Sequence, residues 1–159
     1  MLQRVQTVYM LASVVAILMM LLFPLATFQT PEATLKLTAV GLENLTDGTS
    51  VMGWSIFGII VVMLLVPLIA IFLFKKRWVQ FRFLLFAAIL NLLYFGLYFY
   101  ECHNYTVMIQ NGLIVNAEVQ VLYNYLMLAM PALGIFCNVM AMRGVLHDIM
   151  LLKSLERLR

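Results

Sequence analysis

The sequence predicts an all-α membrane protein: an antiparallel bundle of four transmembrane helices, with a small exterior β-hairpin or three-stranded sheet and a cytoplasmic C-terminal helical tail. Three observations carry that prediction. Hydrophobic residues make up 65% of the chain and charged ones 11%, with a mean hydropathy of +1.02, far from the balance of a soluble domain. Four long apolar runs are separated by polar segments. Finally, the turn from Phe74 to Phe83 places Lys75, Lys76, Arg77 and Arg82 between two of those runs. Charges that dense do not enter hydrocarbon, and short loops rich in Lys and Arg stay on the cytoplasmic side, so these four residues are topology anchors.

The first span is predicted at about 7–28, inside a charge-free run from Val5 to Pro31. A hydrocarbon core of about 30 Å takes about 20 helical residues. The apolar part of a signal peptide usually runs only about 7–15 residues, which favours a retained anchor. Between residues 29 and 50 the composition turns to Thr, Glu, Asn, Asp and Gly. Within that exterior loop Thr34 to Val40 alternates with period two, as a half-buried strand does. The second span, about 51–74, carries Trp54 near one end, with Trp78 just beyond the other, at the depths where indole rings settle. Pro67 marks a kink within it. A cytoplasmic turn at 75–81 leads into the third span, about 82–100, which ends in the aromatic cluster Tyr94, Phe95, Tyr98, Phe99 and Tyr100.

The second exterior loop, 101–118, holds Asn111-Gly112 between Tyr105–Gln110 and Leu113–Asn116. Asn-Gly supplies the positive φ angles of a type I′ turn, which predicts a β-hairpin there. A lone hairpin is marginal in water, so it is expected to pair with the Thr34–Val40 strand. The fourth span, about 119–142, exits at Arg143, and its helix is expected to continue into the tail, 143–159. Two interrupted apolar stripes in that tail suit packing against headgroups or a partner, or else a solvated extension.

Charge by side checks this layout. Nine basic residues against two acidic ones leave the cytoplasmic side at +7, and one basic residue, Lys36, against five acidic ones leaves the exterior at −4. Both termini are then cytoplasmic by the positive-inside rule. The basic balance reflects topology, with the lipid bilayer and its anionic headgroups as the counter-charge, and no nucleic acid is expected.

Little in the spans supports catalysis. They lack Asp, Glu, Lys and His, where ion and proton pumps place ionisable groups at depth. His103 and His147 fall on opposite sides of the membrane, so they cannot share a haem iron. Glu101, Cys102 and His103 are three adjacent ligand types, but consecutive residues seldom converge on one ion. Cys102 and Cys137 lie at different depths, and no disulfide is expected. No phosphate loop or nucleophile motif is present. The prediction is a non-enzyme without cofactor or metal. Asn91, Asn124 and Asn138 within the spans are candidates for interhelical hydrogen bonds or, alternatively, for contacts to a ligand.

The opening Met-Leu-Gln-Arg-Val-Gln-Thr-Val-Tyr and the closing Arg143–Arg159 stretch, with Asp148 and Lys-Ser-Leu-Glu-Arg-Leu-Arg, resemble an uncharacterised family of small four-span integral membrane proteins from Bacteroidetes, domain of unknown function 4293. The resemblance implies a bacterial inner membrane and periplasmic loops, and it transfers no catalytic residue. It also suggests the ends as a contact surface: Arg4, Arg143, Asp148, Lys153, Glu156, Arg157 and Arg159. Two functions follow from these readings. One is a scaffold or accessory subunit that docks another membrane protein through its cytoplasmic ends. The alternative is binding or transport of a lipid or other hydrophobic small molecule in the bundle, near the three asparagines.

Overall fold

The computed structural model describes residues 2–31, 33–45, 48, 50–112 and 119–157, with side chains described for 5–31, 33–45, 48, 50–111 and 119–154. In chain order the elements are α1 (Leu2–Leu22), β1 (Ala26–Gln29), β2 (Thr34–Leu37), β3 (Gly41–Asn44), β4 (Ser50–Met52), α2 (Trp54–Phe72), α3 (Arg77–Gly112), β5 (Gln120–Tyr123) and α4 (Tyr125–Arg157). All four helices are long and apolar enough to cross a membrane. Successive helices pack side by side, and α4 returns against α1, which closes a four-helix ring.

Proline sets the first departure from the expected spans. Pro24 cannot continue a helix, because it lacks an N–H and disfavours helical geometry in the residue before it. The helix α1 therefore ends at Leu22. Residues 26–28, expected at the end of the first span, form β1 instead, together with Gln29. Val51 and Met52 likewise belong to β4, and residues 120–123, assigned to the fourth span, form β5. The sheet is larger than the hairpin or three strands expected. Its five strands run in the order β4-β3-β2-β1-β5, all antiparallel.

The predicted hairpin is not formed. Residues 105–110 continue α3, which runs through Asn111 to Gly112, far beyond the span end expected at Tyr100. A competing pattern wins: Tyr98, Cys102, Tyr105 and Ile109 recur at helical spacing, and all four are buried. Asn-Gly also suits a helix C-terminus, since both positions prefer a residue that tolerates left-handed backbone. The second expected strand, 113–116, lies outside the described residues. The Thr34–Val40 strand is present as β2 over Thr34–Leu37, but it pairs with β1 and β3 rather than with that hairpin.

The sheet seals one end of the bundle. Phe28, Leu35, Leu37 and Leu42 from its strands share one apolar cluster with Ile17, Met20, Ile60, Tyr94 and Tyr98 from the helices. Gly41 holds the turn between β2 and β3 at φ +151, where a Cβ would run into the Val51 carbonyl oxygen. A second cluster, built from Met10, Ala70, Leu84, Ala141, Val145 and Ile149, closes the opposite end. On α1 and α4 the change from one cluster to the other falls at Ser13 and Asn138, both fully buried.

Candidate functional site

The end opposite the sheet gathers most of the basic residues, and its contacts begin with a glycine. On α4, a Cβ at Gly144 would meet Gln6 of α1 at 2.7 Å, so the two helices approach there only because that position is bare. Gln6 then reaches Asp148, one turn further along α4, and donates from Nε2 to its carboxylate at 3.1 Å. Arg77, the first residue of α3, forms an ion pair with the same carboxylate oxygen at 3.1 Å. Asp148 is 7% exposed. A carboxylate so buried is tolerable because both a cation and an amide donor answer it. The three residues tie together α1, α3 and α4. Gln80 adds α2, donating at 3.1 Å to the Ala70 carbonyl, which also accepts the Leu73 N–H at the end of that helix.

Two hollows flank this knot. The first, about 310 Å³, is lined by Gln6, Thr7, Arg77, Gln80 and Asp148 on its polar side and by Ile71, Phe72, Phe74 and Val145 on its apolar side. The second is a groove of about 590 Å³ between the α2–α3 turn and α4, lined by Lys75, Lys76, Arg77, Trp78, Val79, Ile149, Leu152 and Lys153. Among the described residues, Arg77–Asp148 is the one ion pair.

The predicted anchors thus divide in role. Arg77 is spent on Asp148, whereas Lys75, Lys76 and Arg82 are exposed. Asp148, expected on a contact surface, is an internal lock instead, because α1 and α3 close over it. Arg143 is exposed on α4, as is Lys153. The side chains of Arg4, Glu156 and Arg157 lie outside those described, and Arg159 lies outside the described residues altogether.

The three asparagines do not converge. Asn124 precedes α4 at the sheet end, where its Nδ2 donates to the Pro24 carbonyl at 3.0 Å. Asn91 donates to the Ala87 carbonyl on its own helix at 2.7 Å. Its Oδ1 lies where a Cβ on Gly134 would stand 2.6 Å away, so that glycine marks a close approach of α3 and α4. Asn138 is fully buried, and neither side-chain atom has a partner. Two turns from the Gln6–Gly144 approach along each antiparallel helix bring Ser13, whose hydroxyl is also unpartnered, level with Asn138. At the sheet end, Glu101 accepts a hydrogen bond from Ser55, while Cys102 turns into the core and His103 outward. Successive residues on a helix point about 100° apart, which separates these three ligand types.

Gln6 and Gln80 are the contributors that sequence reasoning missed. Their signal was available, since each is an uncharged amide near the charged end of an apolar run, where a buried polar side chain requires a partner.

Fold and site together define a class: a four-helix bundle of membrane-spanning proportions, capped by a five-stranded sheet at one end and knotted by buried polar contacts at the other. Within that class the chain belongs to the family described as Domain of unknown function (DUF4293), which matches residues 2–158. Among curated proteins none matches the chain.

Proposed function

We propose that this chain is a non-enzymatic scaffold or accessory subunit of a bacterial inner membrane. It crosses the bilayer four times, with its sheet on the periplasmic side and both termini in the cytoplasm. Supporting insertion, only 33–39% of the residues in each apolar helical stretch are buried inside the protein. Outward-facing residues such as Val8, Leu11, Leu92, Leu93 and Phe136 then meet acyl chains rather than water. Orientation follows from the basic residues at the knotted end.

One observation carries the docking role: α4 presents an exposed apolar turn beyond its packed part. Its packed seam ends at Ile149, and beyond it Met150, Leu151 and Leu152 are 64%, 47% and 48% exposed. Lys153 follows, with Arg157 on the same helix. An exposed apolar turn beside basic residues suits an acidic, apolar-lined groove on another membrane protein.

The experiment is co-purification with Met150→Asp/Leu151→Asp, which leaves the packed seam through Ile149 intact. Loss of a stoichiometric partner at unchanged thermal stability supports docking. A partner retained at full stoichiometry overturns it.

A further inference from the structure

The geometry points to a second site at this end: the groove between the α2–α3 turn and α4 is a binding site for the headgroup of an anionic phospholipid. It rests on membrane insertion as proposed above; it shares Leu152 and Lys153 with the docking surface, whereas Met150 and Leu151 lie outside its lining.

Charge is the first argument. Four basic residues, Lys75, Lys76, Arg77 and Lys153, line the groove, and no carboxylate lines it. Arg77 is already paired with Asp148, so its charge is largely answered. No acidic partner stands beside Lys75, Lys76 or Lys153 among the described residues. Three ammonium groups from two separate segments therefore surround one concave space. Like charges gathered along one concave face raise the local positive potential and favour an anion there.

Shape decides which anion. Val79, Ile149 and Leu152 provide apolar wall between the lysines, and Trp78 stands at the rim, 60% exposed. A free phosphate gains nothing from aliphatic wall, whereas a phospholipid presents a phosphate and glycerol acyl chains in one molecule. The groove also opens where the apolar belt stops. Phe72 and Phe74 are 73% and 53% exposed just before the lysines, and Leu85 and Phe86 are exposed two turns into α3. Trp at that level fits the interfacial belt, and basic pockets between helices on the cytoplasmic side suit anionic headgroups. Zwitterionic lipids carry their own ammonium group and would leave the three lysines uncompensated.

The test is native mass spectrometry of the full chain equilibrated with phosphatidylglycerol and phosphatidylcholine. Wild type is compared with Lys75→Gln/Lys76→Gln/Lys153→Gln and, as a control at the sheet end, with Lys36→Gln. Wild type and the control should retain phosphatidylglycerol over phosphatidylcholine by at least about tenfold. In the triple variant the preference should fall to about twofold or less. Equal preference in wild type and triple variant overturns the site. Displacement of the lipid by soluble glycerol phosphate also overturns it, by assigning the lysines to a free phosphate. Two controls separate this failure from failure of the scaffold reading. Alkaline carbonate extraction tests insertion regardless of the lysines. Lys75→Gln/Lys76→Gln leaves Met150 and Leu151 untouched, so partner co-purification should survive while lipid preference weakens.

Discussion

The two ends of the bundle are closed in opposite ways. At the sheet end, closure is mostly backbone: five strands exchange ladder hydrogen bonds, and their inward residues bury Phe28 and Leu37 completely. At the basic end no strand is present among the described residues, and four helices are held by side chains from Gln6, Arg77, Gln80 and Asp148. Backbone closure depends on pattern and tolerates most side-chain changes, while side-chain closure depends on particular residues and leaves hollows between them. The contrast places stability at the first end, while the recognition we propose lies at the second.

The largest effect should come from the sheet end. Phe28→Ala removes a fully buried ring beneath the strands and should cost about 3–5 kcal/mol, read as a lower midpoint in detergent unfolding. A loss under 1 kcal/mol would break the assignment of stability to that end. Next, Arg77→Ala leaves the Asp148 carboxylate with only Gln6 and should cost on the order of 2 kcal/mol, since the pair is only partly shielded. A double-mutant cycle with Asp148→Ala should show a coupling of about 1–2 kcal/mol. Tyr98→Phe is smaller. It removes the hydroxyl that donates to the Leu25 carbonyl at 3.0 Å and should cost about 1 kcal/mol. Smallest is Lys75→Gln/Lys76→Gln, which should change stability by less than about 0.5 kcal/mol while altering lipid retention. If those lysines prove as costly as Arg77, the basic end is structural throughout and the contrast collapses.

Much of this architecture was legible because hydrocarbon imposes length and apolarity on any helix that spans it. The four helices and the β2 strand follow from that rule and from simple alternation. Residues 26–29 did not, because a short buried strand and the end of an apolar helix read alike, and Pro24 alone separated them. Asn111-Gly112 misled because one dipeptide serves two kinds of chain reversal, and the buried stripe through Tyr105 and Ile109 decided between them. At the site, the charges of Arg77 and Asp148 were legible, but their pairing was not. Residues 71 positions apart in one sequence carry no mark of meeting. Asn124 was read as an interhelical or ligand contact within the fourth span, whereas its donation to Pro24 places it where two chain breaks meet.

Those contacts at the break after α1 also bear on the order in which the protein can be completed. The Pro24 carbonyl is answered by the side chain of Asn124, and the Leu25 carbonyl by the Tyr98 hydroxyl and the Asn124 N–H. These partners stand 73 and 100 residues downstream. As the chain is synthesised, β1 can pair with β2 early, yet its other edge stays open until β5 emerges beyond α3. The first hairpin therefore cannot mature as a separate unit. Its second edge is completed only when β5 and Asn124, just before α4, have been made.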